Sequence, residues 1–311
     1  MARLHVEGWA PEYGAAVETD EQLSPAEGSV DLEVEDRPWE PVPGVDDGVP
    51  MVAFVDGVRR IDARLLLDAS PGPVPGICGS FAVGAVVWDR IARRSDVVRP
   101  RVYRMALLGE GHAPNLPPLP EWLRYEPSSV PDDDPASLIR SFHDAMRRAE
   151  AALAEDLAGS GYFVVADGPL YDYTASDKMG YIKSHRRSYL PDGSIVGLLP
   201  AAHRTPVFTI GEARFRRYSW YLRLADRGDS HSWAGIVRCE ASAALDKETV
   251  VRIADRSAAV LPAVGSEPHK EPRAPQNLVP IAALERDLRH RMGDAGLCLR
   301  ALRSAVAGVM A

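Results

Sequence analysis

Cysteine is scarce: Cys78, Cys239 and Cys298 are the whole complement of a 311-residue chain. An odd number of scattered thiols makes neither a disulfide framework nor a zinc cluster. A reducing cytoplasm suits such a chain. Long hydrophobic runs are missing too, none approaching the ~20 residues that span a bilayer. The first residues, MARLHVEGWAPEYG, lack the apolar stretch of a secretory signal. A cytoplasmic protein with no membrane contact is therefore expected. Positive charge is not in excess either. The net charge of −8 argues against a simple basic protein that coats DNA. There is no internal repeat.

What charge there is lies unevenly. Residues 1–50 hold 13 acidic side chains against two basic ones, a net of −11, which leaves +3 for the rest of the chain. Residues 1–49 therefore read as an acidic Pro/Gly-rich N-terminal arm, with one short strand near Val30–Val34. Such arms are solvated tails or partner contacts. Residues 50–311 are long enough for one well-packed domain.

Within that body, hydrophobic periodicity sets out the elements. Met51–Val55 is a buried strand. Ile61, Ala63, Leu65 and Leu67 alternate with polar residues in a second, and Phe81, Val83, Ala85 and Val87 mark a third. Short connections favour an antiparallel meander, and Arg101–Leu108 suits a further strand. Residues 109–135, with seven prolines, form a long loop. Pro135–Leu157 is the clearest helix, with Asp134 placed to cap it and Gly159 and Gly161 to end it. Tyr162 to Val165 then form a short buried strand that stops at Asp167-Gly168-Pro169. The order is β-β-β-α-β. Further strands are expected at Gly180–Lys183, Val207–Ile210, Arg214–Leu224 and Trp233–Ala241. Helices are expected at Ser194–Ala202, Asp246–Val260, Pro280–Met292 and Ala295–Val309.

Two stretches share one grammar. MVAFVDG and YFVVADG each end an apolar strand on an Asp-Gly pair, at Asp56 and Asp167. Acids at the carboxyl ends of neighbouring strands of an α/β sheet make a cation site. Asp-Gly is also an ordinary hairpin signal, so both pairs can be turns. The intervening helix supplies a third acid. Leu138, Ile139, Phe142, Met146, Ala149, Leu153 and Leu157 form its apolar stripe, and Glu150 and Asp156 flank it. If the chain turns near Gly159, Asp167 stands ~20 Å along the returning strand. Glu150 is then ~13 Å up the helix and Asp156 only ~5 Å, so Glu150 is the one whose side chain closes the gap. Three hard oxygen donors, Asp56, Glu150 and Asp167, suit Mn²⁺ or Mg²⁺ rather than zinc. The alternative for Glu150 is a solvated helix edge.

Later residues complete the candidates. In Arg214–Leu224, Tyr218, Trp220, Leu222 and Leu224 share one face and Arg217, Ser219, Tyr221 and Arg223 the other, as in a strand buried on one side. Tyr221 is then a hydrogen-bond donor on the polar face, or an ordinary surface tyrosine. Lys183-Ser-His-Arg-Arg187 is a compact basic run. Lys183, His185, Arg186 and Arg187 suit a DNA backbone, or form a solvated loop.

In identity and order, five short stretches resemble the NurA nucleases: FVDG at Phe54–Gly57, the helix carrying Glu150, VADGPL at Val165–Leu170, GYIK at Gly180–Lys183 and YLRL at Tyr221–Leu224. The resemblance runs from about residue 50 to the C-terminus. It implies an RNase H-like mixed sheet flanked by helices, and a Mn²⁺-dependent nuclease cutting single-stranded DNA as an endonuclease and a 5′–3′ exonuclease. It also implies a homodimer working with a HerA-like hexameric ATPase in DNA end processing. Asp56, Glu150 and Asp167 would be metal ligands and Tyr221 a catalytic-site residue. Two departures stand out. The family's Asp-Gly-Ser is Asp56-Gly57-Val58 here. Glu285 stands where the family often carries a histidine, with His290 on a different helical face, so Glu285 is a candidate fourth acid. A NurA-like adaptor that holds the ATPase without cutting, or another RNase H-like nuclease, are the alternatives.

Overall fold

The computed structural model describes residues 3–6, 30–171, 174, 176–183, 189–190, 194–211, 216–226, 232–267 and 274–310. Its strands are β1 (Arg3–Val6), β2 (Val30–Asp31), β3 (Val42–Pro43), β4 (Met51–Asp68), β5 (Pro73–Asp89), β6 (Arg94–Leu108), β7 (Glu126–Ser129), β8 (Phe163–Asp167), β9 (Lys178–Ile182), β10 (His203–Arg204), β11 (Phe208–Ile210), β12 (Arg217–Arg223) and β13 (Ile236–Ser242). The helices are α1 (Pro135–Gly159), α2 (Ser194–Leu198), α3 (Lys247–Val260), α4 (Val279–Arg291) and α5 (Ala295–Met310).

One sheet runs through the protein in the order β2-β11-β12-β13-β9-β8-β4-β5-β6-β7. Its centre is RNase H-like. β4, β5 and β6 form an antiparallel meander, and the chain then crosses over through α1 to β8. β8 lies parallel beside β4, and β9 parallel beside β8. A mixed sheet of this kind is covered by helices on both faces because its central strands are apolar on both sides.

The meander is longer than periodicity suggests. Met51–Val55 and Ile61–Leu67 are not two strands but parts of β4, which spans 18 residues. Asp56-Gly57 is therefore no turn: Gly57 is extended and pairs with Val83. The stretch read as a connection, Asp56 to Arg60, pairs continuously with β5; the irregularity lies further on, a bulge between Ile61 and Ala63, and Asp62 there is buried. There Asp62 accepts from Arg60 at 2.7 Å and Tyr125 at 2.9 Å. Likewise Arg101–Leu108 is only the second half of β6.

α1 follows from its sequence. Asp134 accepts from the Ala136 N–H at 2.9 Å, Pro135 fits the first turn, and Gly161 leaves the helix at φ +86°. Its apolar stripe packs Leu138, Phe142 and Met146 against Ile77, Phe81 and Leu107. α3 and α4 cover the other face, where Val250, Ile253 and Ile281 meet Val52, Phe54, Phe163 and Val165.

Residues 30–47 lie against the body through buried charge. Arg204 is fully buried and grips both oxygens of Glu35 at 2.8 Å. Asp47 accepts from Arg256 at 2.9 Å. β12 is buried on both faces, not one: its second face meets Phe208, Ile236 and Val196. The arginines on that face are structural. Arg217 pairs with Glu240 at 2.9 Å, and Arg223 donates to the carbonyls of Gly197 and Ser232. Among the described residues, no helix is long and apolar enough to cross a membrane.

Candidate metal centre

β4 and β8 run side by side with Val55 opposite Ala166. The next step along each strand brings Asp56 and Asp167 to adjacent positions, ~4.8 Å apart across the sheet. Side chains alternate between faces along a strand. Ala53, Val55 and Val164 pack with Ala154 and Leu157 of α1, whereas Val52, Phe54, Phe163 and Val165 pack with α3 and α4. Asp56 and Asp167 continue the second set and so stand on the α4 side.

α4 delivers the third acid. Ile281, Leu284 and Leu288 are fully buried, and that stripe holds the helix with Glu285 turned to the strand ends. One carboxylate oxygen from each of Asp56, Asp167 and Glu285 lies within 4.8 Å of the others. Three such oxygens enclose a volume that one divalent cation fits, and hard carboxylates are the donors Mg²⁺ and Mn²⁺ take.

The electrostatics fit the same group. Burial pushes the Asp56 carboxyl well above the usual range, and the negative charges of Asp167, Glu150 and Glu285 push it further. Clustered carboxylates repel one another until a cation joins them. Among the described residues two positive charges reach the group: Lys183 Nζ lies 2.6 Å from Asp167 Oδ2 and donates to Asn277 Oδ1 at 3.2 Å, and Arg289 pairs with Glu285 at 2.8 Å. The Gly57 N–H donates to Asp56 Oδ1 at 2.8 Å.

Glu150 approaches from the opposite side. α1 covers the other face of the sheet, so Glu150 meets β4 at Gly57 rather than at Asp56. A Cβ on Gly57 would lie 3.2 Å from Glu150 Cδ and closer still to Oε1. The missing side chain is what admits this carboxylate to the strand. Burial pushes the Glu150 carboxyl up to about 7, with Asp167 adding to the rise and Arg147 and Arg59 opposing it. Glu150 thus stands at the rim of the group that Asp56, Asp167 and Glu285 form.

The remaining predicted residues fall elsewhere. Asp156, which the helical height set apart, pairs with Arg99 at the surface. Tyr221 is opposite Arg238, which is opposite Ile182, three strand spacings or ~14 Å from β8. The same alternation sets Tyr221 on the α1 face. It is 1% exposed, stacked on Phe208 and edge-on to Trp233, and the structure does not bring it to the carboxylates. Lys183 stands beside the acidic group, against Asp167. His185, Arg186 and Arg187 lie outside the described residues.

Sequence reasoning missed a supporting residue, Glu240. It is fully buried, accepts from Arg217 and Arg238 at 2.9 Å, and accepts from the Leu170 N–H at 2.8 Å. That last bond fixes the turn after Asp167, where Gly168 has φ +87°. An acid in the middle of the apolar run IVRCEAS was the available signal.

No family model and no curated protein matches this chain. Among solved structures it is similar to the NurA nuclease from Sulfolobus solfataricus, with 12% identity and a TM-score of 0.44, over 84% of this chain and 87% of that one. It is also similar to the catalytic domain of human Endonuclease V, with 14% identity and a TM-score of 0.32, over 79% and 85%. The fold assignment rests on the strand order itself.

Proposed function

We propose that this protein is a divalent-metal-dependent DNA nuclease of the NurA type. The observation that carries the reading is the meeting of Asp56, Asp167 and Glu285 within 4.8 Å, where β8 ends beside the middle of β4. The donor set fits Mn²⁺ or Mg²⁺. Asp56, Asp167 and Glu285 would hold the cation, with Glu150 at its flank. A bound cation supplies activation of water and neutralisation of charge on the departing phosphodiester oxygen. The chain's own residues do the rest. Asp56 and Asp167 are fixed by neighbouring strands, Glu240 holds the turn beyond Asp167, and Lys183 neutralises the outer Asp167 oxygen.

The finer reading follows the order of motifs in the sequence. It is a Mn²⁺ enzyme acting on single-stranded DNA as a cytoplasmic homodimer, fed by a HerA-like hexameric ATPase in DNA end processing. Tyr221 does not touch the cation group, so any part it takes in this chemistry lies away from the metal.

The test is digestion of end-labelled single-stranded DNA with Mn²⁺, Mg²⁺ or EDTA, by wild type and Asp167→Asn. Cation-dependent cleavage that Asp167→Asn reduces by orders of magnitude, with the melting temperature kept, is expected. Undiminished cleavage by Asp167→Asn would move the site elsewhere. One observation favours a non-cutting adaptor: the Lys183 ammonium already satisfies Asp167 at 2.6 Å. No cleavage of DNA or RNA in any cation would select that reading.

A further inference from the structure

The most basic stretch of the chain is not the run at Lys183. Residues 90–104 hold six arginines and one acid, Asp96, so this stretch of a protein with net charge −8 carries +5. It forms the β5–β6 turn and most of β6. β7 pairs only with Met105–Leu108. Among the described residues the outer edge of β6 from Arg94 to Arg104 therefore has no strand beside it. Arg93, Arg94, Arg99 and Arg101 are all exposed on or beside that edge.

The edge also runs level with the carboxylates, with Arg99, paired to Asp156 of α1, and Arg101, opposite Val83, on the α1 face from which Glu150 approaches. Asp56 is opposite Gly84 on β5, and at Gly84 the β5–β6 register slips, with Val83 opposite Arg101 and Ala85 opposite Val98. The bulged pair Arg99-Pro100 thus falls on the cross-strand row of Asp56, two strand spacings or ~10 Å away. Arg99 there has φ +51°, a left-handed conformation that turns the strand at this point.

We propose that the β6 edge from Arg93 to Arg101 is the track on which the sugar-phosphate backbone of a single DNA strand lies as it approaches the carboxylates. The inference deepens the nuclease reading and rests on it for the identity of the strand. Charge complementarity carries it. Guanidinium forks match phosphate oxygens in a way that lysine ammoniums do not, and every basic residue on this edge is arginine. A second copy of the chain adding edge to edge would set like charges opposite one another, which is unfavourable. Protection of an open edge from aggregation needs only charge of either sign and does not explain four exposed arginines. The ion pairs present are easily exchanged: Arg94–Asp96 spans 3.3 Å with side chains 72% and 63% exposed, Arg99–Asp156 has side chains 47% and 62% exposed, and such pairs are weak. Arg93 and Arg101 have no ion pair among the described residues.

The experiment is anisotropy of a labelled single-stranded oligonucleotide in EDTA, across a potassium chloride series. An Arg93→Gln/Arg94→Gln/Arg101→Gln variant is compared with wild type. Each lost phosphate contact lowers the log–log salt slope by ~0.7, so three should lower it by about 2 and weaken binding at least tenfold. The matching Arg→Lys variant keeps the charge and is expected to keep the slope. A control, Arg124→Gln/Arg252→Gln/Arg300→Gln, makes the same change in net charge at other exposed sites and should leave the slope alone. Equal losses in variant and control, or an unchanged slope in the variant, would overturn the proposal. So would a shift of the variant's own sedimentation, which would give the edge to a second copy. Binding that depends on the strip, without Mn²⁺-dependent cleavage, would keep the track and remove the nuclease reading. Cleavage with binding indifferent to the strip would remove the track alone.

Discussion

Gly57→Ala adds one methyl group at the point where the two sides of the site meet. The new Cβ would stand 3.2 Å from Glu150 Cδ and from Met146 Cγ, and nearer to Glu150 Oε1. Carbon atoms in contact prefer ~3.5–4.0 Å, so the carboxylate must retreat by roughly 1 Å. The cost to folding is small, because the obstructing atoms are the ends of flexible side chains. An off-rotamer glutamate costs about 0.5–1.5 kcal/mol, and replacing glycine in extended backbone returns about 0.4–1 kcal/mol through the unfolded state. The net lies within about 1 kcal/mol, or a few degrees of melting temperature for a chain of this size. Catalysis has no such compensation: a group displaced by ~1 Å can cost ~100-fold in rate. The measurement is single-turnover cleavage at saturating Mn²⁺ beside a thermal melt. A rate ~100-fold down with the melt nearly unchanged is expected. Because both changes act through one carboxylate, Gly57→Ala/Glu150→Gln should be no slower than Glu150→Gln alone. Wild-type rates in Gly57→Ala, or losses that multiply in the double variant, would refute the role of Glu150 at the rim.

Two further perturbations follow from other contacts. Glu285→Gln removes one charged oxygen donor and leaves the buried stripe of α4 in place. Mn²⁺ affinity by calorimetry should fall at least tenfold, about 1.4 kcal/mol; unchanged affinity would exclude Glu285 from the cation site. Glu35→Gln strips a buried partner from Arg204 and should cost about 3–5 kcal/mol in urea denaturation at pH 7. Burial pushes the Glu35 carboxyl up, but the hydrogen bond and charge of Arg204 hold it below the usual range. Its stabilisation is therefore present at neutral pH and lost as the pH falls through that lowered value. The gap between wild type and Glu35→Gln should close in acid, and a gap constant with pH would contradict the pairing.

The order of elements was legible because periodicity survives in a single sequence: alternation in the meander, a helical stripe in α1, a short apolar run in β8. The partition of β4 was not. An Asp-Gly pair and a break in alternation look like a turn, and only pairing with Val83 reveals continuous strand. At the site, helical rise placed Glu150 at the right height, but height does not say which face of the sheet a helix covers. Alternation along β4 and β8 decides that, and it turns Asp56 and Asp167 toward α4. Glu285 lies more than a hundred residues beyond Asp167, with no local spacing to tie it to the others. The burial of Tyr221 was not legible for a different reason: arginines on one face of β12 look like solvent exposure, whereas here they serve buried carbonyls and Glu240.

The wide spacing of the three carboxylates has a bearing on synthesis. Asp56, Asp167 and Glu285 arise on separate elements more than a hundred residues apart, and α4 is made last of the three. Domains form as the ribosome delivers them, at about 5–20 residues per second. The meander and α1 can pack while the rest is still being made, yet of the three carboxylates they hold only Asp56. On the proposed reading, the part made first has no complete cation site while it is still beside RNA, and the site closes only when α4 has emerged.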